Sequence, residues 1–158
     1  MVFEEIYREY WDKIYRLCQG YANDRDWAKD MTQETFVIVW QQLPHFRQES
    51  SVGTWIFRIA CNNCLRQIEK ENRFPRKELP ADVSDRPDPD YSQELLFLQK
   101  CIAELGETDR LLIGLELENV PQAQIAVILG LSEANTRVRL HRIKDKIKQK
   151  FKSYEYNR

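Results

Sequence analysis

The 158-residue sequence has no run of 18 apolar residues and nothing that resembles a signal peptide. It therefore reads as a soluble, cytoplasmic chain with no stable membrane insertion. Strand-like alternation of useful length and internal repeats are also lacking, which argues against a β architecture or a repeat array and leaves helices. With only two histidines, no cluster of His, Asp or Glu completes a catalytic or metal site, so neither an enzyme nor a cofactor is expected. Of the four cysteines, Cys61 and Cys64 form a C-x-x-C. That pair alone fits zinc or a redox couple, but no second close pair accompanies it. Its segment reads as mid-helix, where small buried thiols are the plainer explanation.

What is present is an uneven distribution of charge. The formal net charge is −1, yet Arg137 to Arg158 holds nine Lys or Arg against two acids, leaving 15 bases and 23 acids for residues 1–136. A basic end on an acidic body suggests a polyanion partner for the C-terminus and a different partner for the rest.

Four of the six prolines (Pro75, Pro80, Pro87 and Pro89) fall in "PRKELPADVSDRPDPDYSQE", which is polar, acidic and without apolar periodicity. The reading is an all-α chain of two small helical domains, residues 1–74 and 94–158, joined by a Pro/Asp-rich linker over 75–93.

In the C-terminal domain, Thr136, Leu140, Ile143, Ile147 and Phe151 fall on one arc of a helix, while Ala134, Arg137, Val138, His141, Arg142 and Asp145 cover the other. Ser132 is a suitable N-cap, Gly130 permits the preceding turn, and "VPQAQIAVIL" supplies an earlier helix with Pro121 near its start. This is the layout of a helix-turn-helix reader. Exposed Arg can bridge guanine O6 and N7, and flanking bases can neutralise phosphates. In "DMTQETFVIVWQQL", Ala28, Met31, Thr35, Phe36, Val39 and Leu43 share one face and Asp26, Asp30, Gln33, Glu34 and Gln41 the other, with Val37 in their midst. An apolar residue centred on an acidic, amide-rich face has the character of a protein-docking surface.

"DMTQETFVIVW", then "FRQESSVGTWIFRIACNN", then "IAVILGLSEANTRVRLHRIK" resemble, in order and spacing, the extracytoplasmic-function (ECF) sigma factors that give bacterial RNA polymerase its promoter specificity. The resemblance spans nearly the whole chain. It implies that Asp30, Gln33, Glu34 and Val37 lie on the helix that docks on core RNA polymerase. It implies that the loop "FRQESS" and the helix after it bind the −10 element of promoter DNA as single strand. Candidates there are Phe46, Arg47, Ser50, Ser51, Arg58, Asn62 and Arg66, which supply amide, hydroxyl and cationic groups for an unstacked base and its phosphates. Trp55 and Ile59 read instead as core. At the −35 element, Arg137, Val138, His141 and Arg142 would enter the major groove, with Arg139 and Lys144 nearer the backbone. His141 is equally readable as a bystander on the helix surface. The family commonly uses an anti-sigma factor as a further partner, and the acidic linker residues would mimic nucleic acid near the RNA path.

The sequence departs from the family pattern in places. Val52 and Gly53 stand where an aromatic and a basic residue are frequent, "VPQAQIA" replaces an acidic, serine-capped helix start, and "EANTRVR" lacks a usual glycine and threonine. The alternative is a stand-alone helix-turn-helix regulator with an N-terminal sensor or dimerisation domain, which would bind operator DNA without polymerase.

Overall fold

A computed structural model describes residues 2–73 and 92–157. Among them are seven α-helices, one 3-10 turn and no strand. The linker expected over 75–93 falls, up to residue 91, outside the described residues. The chain divides into two compact units, residues 1–86 and 87–158.

In the first unit, α1 (Phe3–Ala22), α2 (Arg25–Gln42) and α3 (Val52–Arg73) pack pairwise, with a 3-10 turn at Leu43–His45. The α1–α2 corner is made by local chemistry. Asn23 takes a left-handed conformation (φ 52°) and returns its N–H to the Gln19 carbonyl, and Asp24 then accepts from the Trp27 N–H at 3.0 Å to cap α2. Ile6, Ile14, Leu17 and Tyr21 meet Met31, Phe36, Val39, Ile56 and Ala60 in a closed core. Cys18, Cys61 and Cys64 are all buried in it, with the Cys18 and Cys64 sulfurs 3.9 Å apart. Burial pushes the Cys61 thiol well above its ordinary range. Cys64 is raised first by its hydrogen bond with Cys18 and then by burial.

The second unit contains α4 (Gln93–Ala103), α5 (Glu107–Leu117), α6 (Gln122–Leu129) and α7 (Glu133–Tyr156). Ser92 caps α4 through the Leu95 N–H, and Asn119 (φ 61°) turns the chain from α5 to α6. Pro121 precedes α6, Gly130 (φ 68°) closes it, and Ser132 opens α7 by accepting from the Asn135 N–H at 3.0 Å. Helix-turn-helix geometry thus follows from three residues whose backbone preferences suit their places. Leu111, Leu112, Leu115, Ile125, Leu140 and Ile143 form the core, with the Thr136 hydroxyl returned to the Ser132 carbonyl. Farther along α7, Phe151 meets Phe97 of α4 edge-on, and Tyr154 stacks on Phe97 at 4.4 Å. No helix among the described residues is long and apolar enough to cross a membrane.

Candidate functional site

On α2 the buried arc turns Ala28, Met31, Thr35, Phe36 and Val39 inward, and Asp26, Asp30, Gln33, Glu34, Val37 and Gln41 are exposed. Val37 is 53% exposed. Trp40, three residues on and one of the residues that sequence reasoning missed, is 63% exposed. An uncovered tryptophan beside an uncovered valine makes an apolar spot of useful size within an acidic surround. Its signal is present in the sequence, since position 40 lies off the buried arc. The surface is braced from behind by Gln67 of α3, whose amide donates to Glu34.

Between α2 and α3 the chain turns through Phe46–Ser51. Phe46 stacks on Trp55 with centroids 4.5 Å apart, so Trp55 is half-buried as the floor of the loop, while Ile59 is in the core. A cleft of about 620 Å³ is lined by Leu43, Phe46, Gln48, Glu49, Ser50, Ser51 and Val52. Gln48 is held left-handed, at φ 57°. Both serines expected to meet DNA are exposed, and both hydroxyls have partners within the loop: that of Ser50 donates to the Ser51 carbonyl at 3.4 Å, and that of Ser51 accepts from the Thr54 N–H at 3.2 Å and donates to the Thr54 hydroxyl. Arg47 is exposed in the loop, and Arg58, Asn62 and Arg66 are exposed at intervals of four on α3. They form one ridge running away from the cleft. The next residue after Asn62, Asn63, is turned about 100° farther round the helix and is fully buried.

The unusual glycine at 53 has a visible counterpart. A Cβ there would lie 2.9 Å from the Tyr10 hydroxyl, so the phenol of α1 occupies the space that a side chain would need. Tyr10 meets Phe57 edge-on and has the Lys13 ammonium 5.3 Å from its ring centre. An aromatic ring is therefore placed at the start of α3 by α1, with a base of α1 beside that ring.

On α7, Arg137, Val138, His141 and Arg142 are exposed together in the first three turns. Val138 is 44% uncovered, compatible with apolar contact to a thymine methyl. Arg139 and Lys144 are placed differently. Arg139 donates through Nε and Nη2 to Oδ1 of Asp109, at 3.2 and 2.7 Å, and Lys144 lies 3.4 Å from Glu116. Both bases expected near DNA phosphates thus face carboxylates of α5. Among the described residues no group of three or more His, Cys, Asp or Glu is placed to hold a metal ion.

Comparison with known proteins matches residues 6–74 to the family model "Sigma-70 region 2" and residues 97–147 to "Sigma-70, region 4". The ECF RNA polymerase sigma factor SigE of Mycolicibacterium smegmatis is 27% identical over 149 residues, which is 89% of this chain and 58% of that protein. RNA polymerase sigma factor YlaC of Bacillus subtilis is 26% identical over 155 residues, covering 92% of this chain and 90% of its own length. The same fold occurs in the sigma factor RpoE of Bartonella quintana, solved with the anti-sigma factor NepR. There the TM-score is 0.81 at 20% identity, over 95% of this chain and 96% of that one.

Proposed function

The chain belongs to the ECF sigma factors of the sigma-70 family, and from that premise we propose that it binds core RNA polymerase through α2 and reads promoter DNA with both units. Asp30, Gln33, Glu34 and Val37, joined by Trp40, form the polymerase face. The Phe46–Ser51 loop and the ridge of Arg58, Asn62 and Arg66 receive the −10 element as single strand, with the cleft beside Phe46 able to take an unstacked base. Arg137, Val138, His141 and Arg142 enter the major groove at the −35 element. The protein acts in the cytoplasm and contributes recognition, with no catalytic step of its own.

The observation that carries this reading is the order of the two matched regions on one chain, one on each compact unit, each with its expected reading surface exposed. A stand-alone regulator has no use for the region 2 surface and is not favoured. The relative solved with NepR supports an anti-sigma factor as a further partner.

The test is a titration of labelled promoter DNA with the full chain, with core polymerase and with both, at two salt concentrations. Promoter-specific binding is expected only with both present, because polymerase holds the two readers on one DNA and makes the second contact intramolecular. Tight, sequence-specific binding by the chain alone would overturn the reading.

A further inference from the structure

Arg139 lies within the stretch of α7 that carries the exposed readers, two residues after Arg137 and three before Arg142. Its guanidinium nevertheless turns back into the protein. Two of its nitrogens converge on a single oxygen of Asp109, in the first turn of α5, and both side chains are about one-third exposed. Seven residues along α5, Glu116 faces Lys144 of α7. Two attachments roughly 10 Å apart along one helix resist both sliding and rotation of its neighbour.

Rotation is the motion that matters for reading bases. A side chain carried about 5 Å from the helix axis moves close to 1 Å for every 10° of roll. Paired hydrogen bonds to guanine tolerate only a few tenths of an ångström. The apolar contacts of Leu140 and Ile143 hold α7 down without specifying its roll as sharply, since hydrophobic contact has no preferred direction. The charge-assisted Arg139–Asp109 bonds are directional.

We infer that Arg139 and Asp109 are positioning residues for promoter discrimination: the pair sets the roll of α7, and so the aim of Arg137, Val138, His141 and Arg142, without itself touching DNA. This rests on the −35 reading proposed above. It replaces the expectation, drawn from residue type alone, that Arg139 is a phosphate contact. The two roles predict opposite effects at Asp109. If Arg139 served phosphates, removing the competing carboxylate would release it and tighten binding to every DNA. As part of the pair, Asp109 is needed for discrimination even though its own charge repels DNA.

The experiment uses holoenzyme made from the full chain and core polymerase. Its binding is measured on a matched promoter and on one with a single −35 base pair inverted, across a salt series. Asp109→Asn and Arg139→Lys should each lower the matched-to-inverted ratio by about five-fold and leave the salt slope unchanged. The double exchange Asp109→Arg with Arg139→Asp should bring the ratio back to within about two-fold of the original, because it restores the pair with reversed polarity. Thermal melting is recorded alongside. If the single variants melt early, the double exchange decides by itself: recovered melting without recovered discrimination overturns the positioning role. Uniform weakening by the charge-removing Arg139→Gln with a shallower salt slope, or uniform tightening by Asp109→Asn, overturns it in favour of a phosphate contact. Failure of the unmodified holoenzyme to distinguish the two promoters refutes the −35 reading instead.

Discussion

The Nδ2 group of Asn63 on α3 donates to the main-chain carbonyl of Met31 on α2 at 3.1 Å and lies 3.3 Å from the Thr35 hydroxyl, with all of Asn63 buried. A side-chain amide thus fixes the helix that carries the proposed polymerase face. The Thr35 hydroxyl proton is already given to the same carbonyl, so both atoms facing Asn63 are acceptors. Asn63→Ala should cost about 1–3 kcal/mol. Asn63→Asp should cost more at neutral pH, because a buried carboxylate would face two acceptors with no proton to offer. Burial would raise the folded-state pKa of that carboxyl, so the extra loss should shrink as pH falls and the acid is protonated. Denaturant midpoints at two pH values measure the order, and an Asp variant as stable as the Ala variant at neutral pH would count against the geometry.

Replacing Val37 by Lys or Trp40 by Ala should each weaken core polymerase binding by about ten-fold, while circular dichroism and melting stay near those of the parent. Asp30→Ala should act in the same direction and more weakly. Unchanged affinity in both apolar variants would remove α2 from the interface.

Arg142→Ala should cost about 1–3 kcal/mol of discrimination at one −35 base pair if the guanidinium spans a guanine. The loss should appear on the matched promoter and vanish on the one already altered at that pair. Equal losses on both would assign Arg142 to the phosphate backbone.

Gly53 and Tyr10 should be energetically coupled. Gly53→Ala pushes a methyl toward the Tyr10 hydroxyl, and Tyr10→Phe removes the obstructing atom. In a double-mutant cycle the alanine should therefore cost less when combined with Tyr10→Phe, by about 0.5 kcal/mol or more. Strict additivity would show that the phenol and the glycine do not meet in solution.

Cys18, Cys61 and Cys64 are fully buried, and Cys61 and Cys64 are held as thiols by burial and by the Cys18–Cys64 hydrogen bond. Since the thiolate is the reactive form, alkylation of the native protein at mildly alkaline pH should be slow and paced by unfolding. Mass spectrometry after timed iodoacetamide exposure reads this directly. Rapid modification at Cys61 or Cys64 would revive the redox reading of the C-x-x-C.

Features governed by neighbours along the chain are legible in the sequence. Ser132, Gly130 and Pro121 each act through their own backbone or the next turn, and the split faces of α2 and α7 follow from helical period alone. What escapes a sequence reading depends on which helices meet. Tyr10 and Gly53 are 43 residues apart, and Arg139 and Asp109 are 30 apart. Nothing in the local pattern of either partner announces the other. Residue type alone does not show that Arg139 and Ser51 have partners within the protein. Their geometry engages the first with α5 and the second in capping α3. The exposure of Trp40 follows from the helical wheel, against the general expectation that a tryptophan is turned inside.

On the proposed −10 reading, the left-handed Gln48 bears on how the cleft would receive a nucleotide. A residue with a Cβ enters that region against a penalty of roughly 1–2 kcal/mol, so the loop around it must already be determined by its surroundings, here the Phe46–Trp55 stack and the Ser51 cap. Such a loop has lost much of its conformational entropy in the free protein. An incoming strand then need not supply that ordering from its own contacts, and its affinity reports base and phosphate interactions nearly undiluted. Gln48→Gly would relieve the strain and return the freedom, making the free chain more comfortable and the complex harder to form.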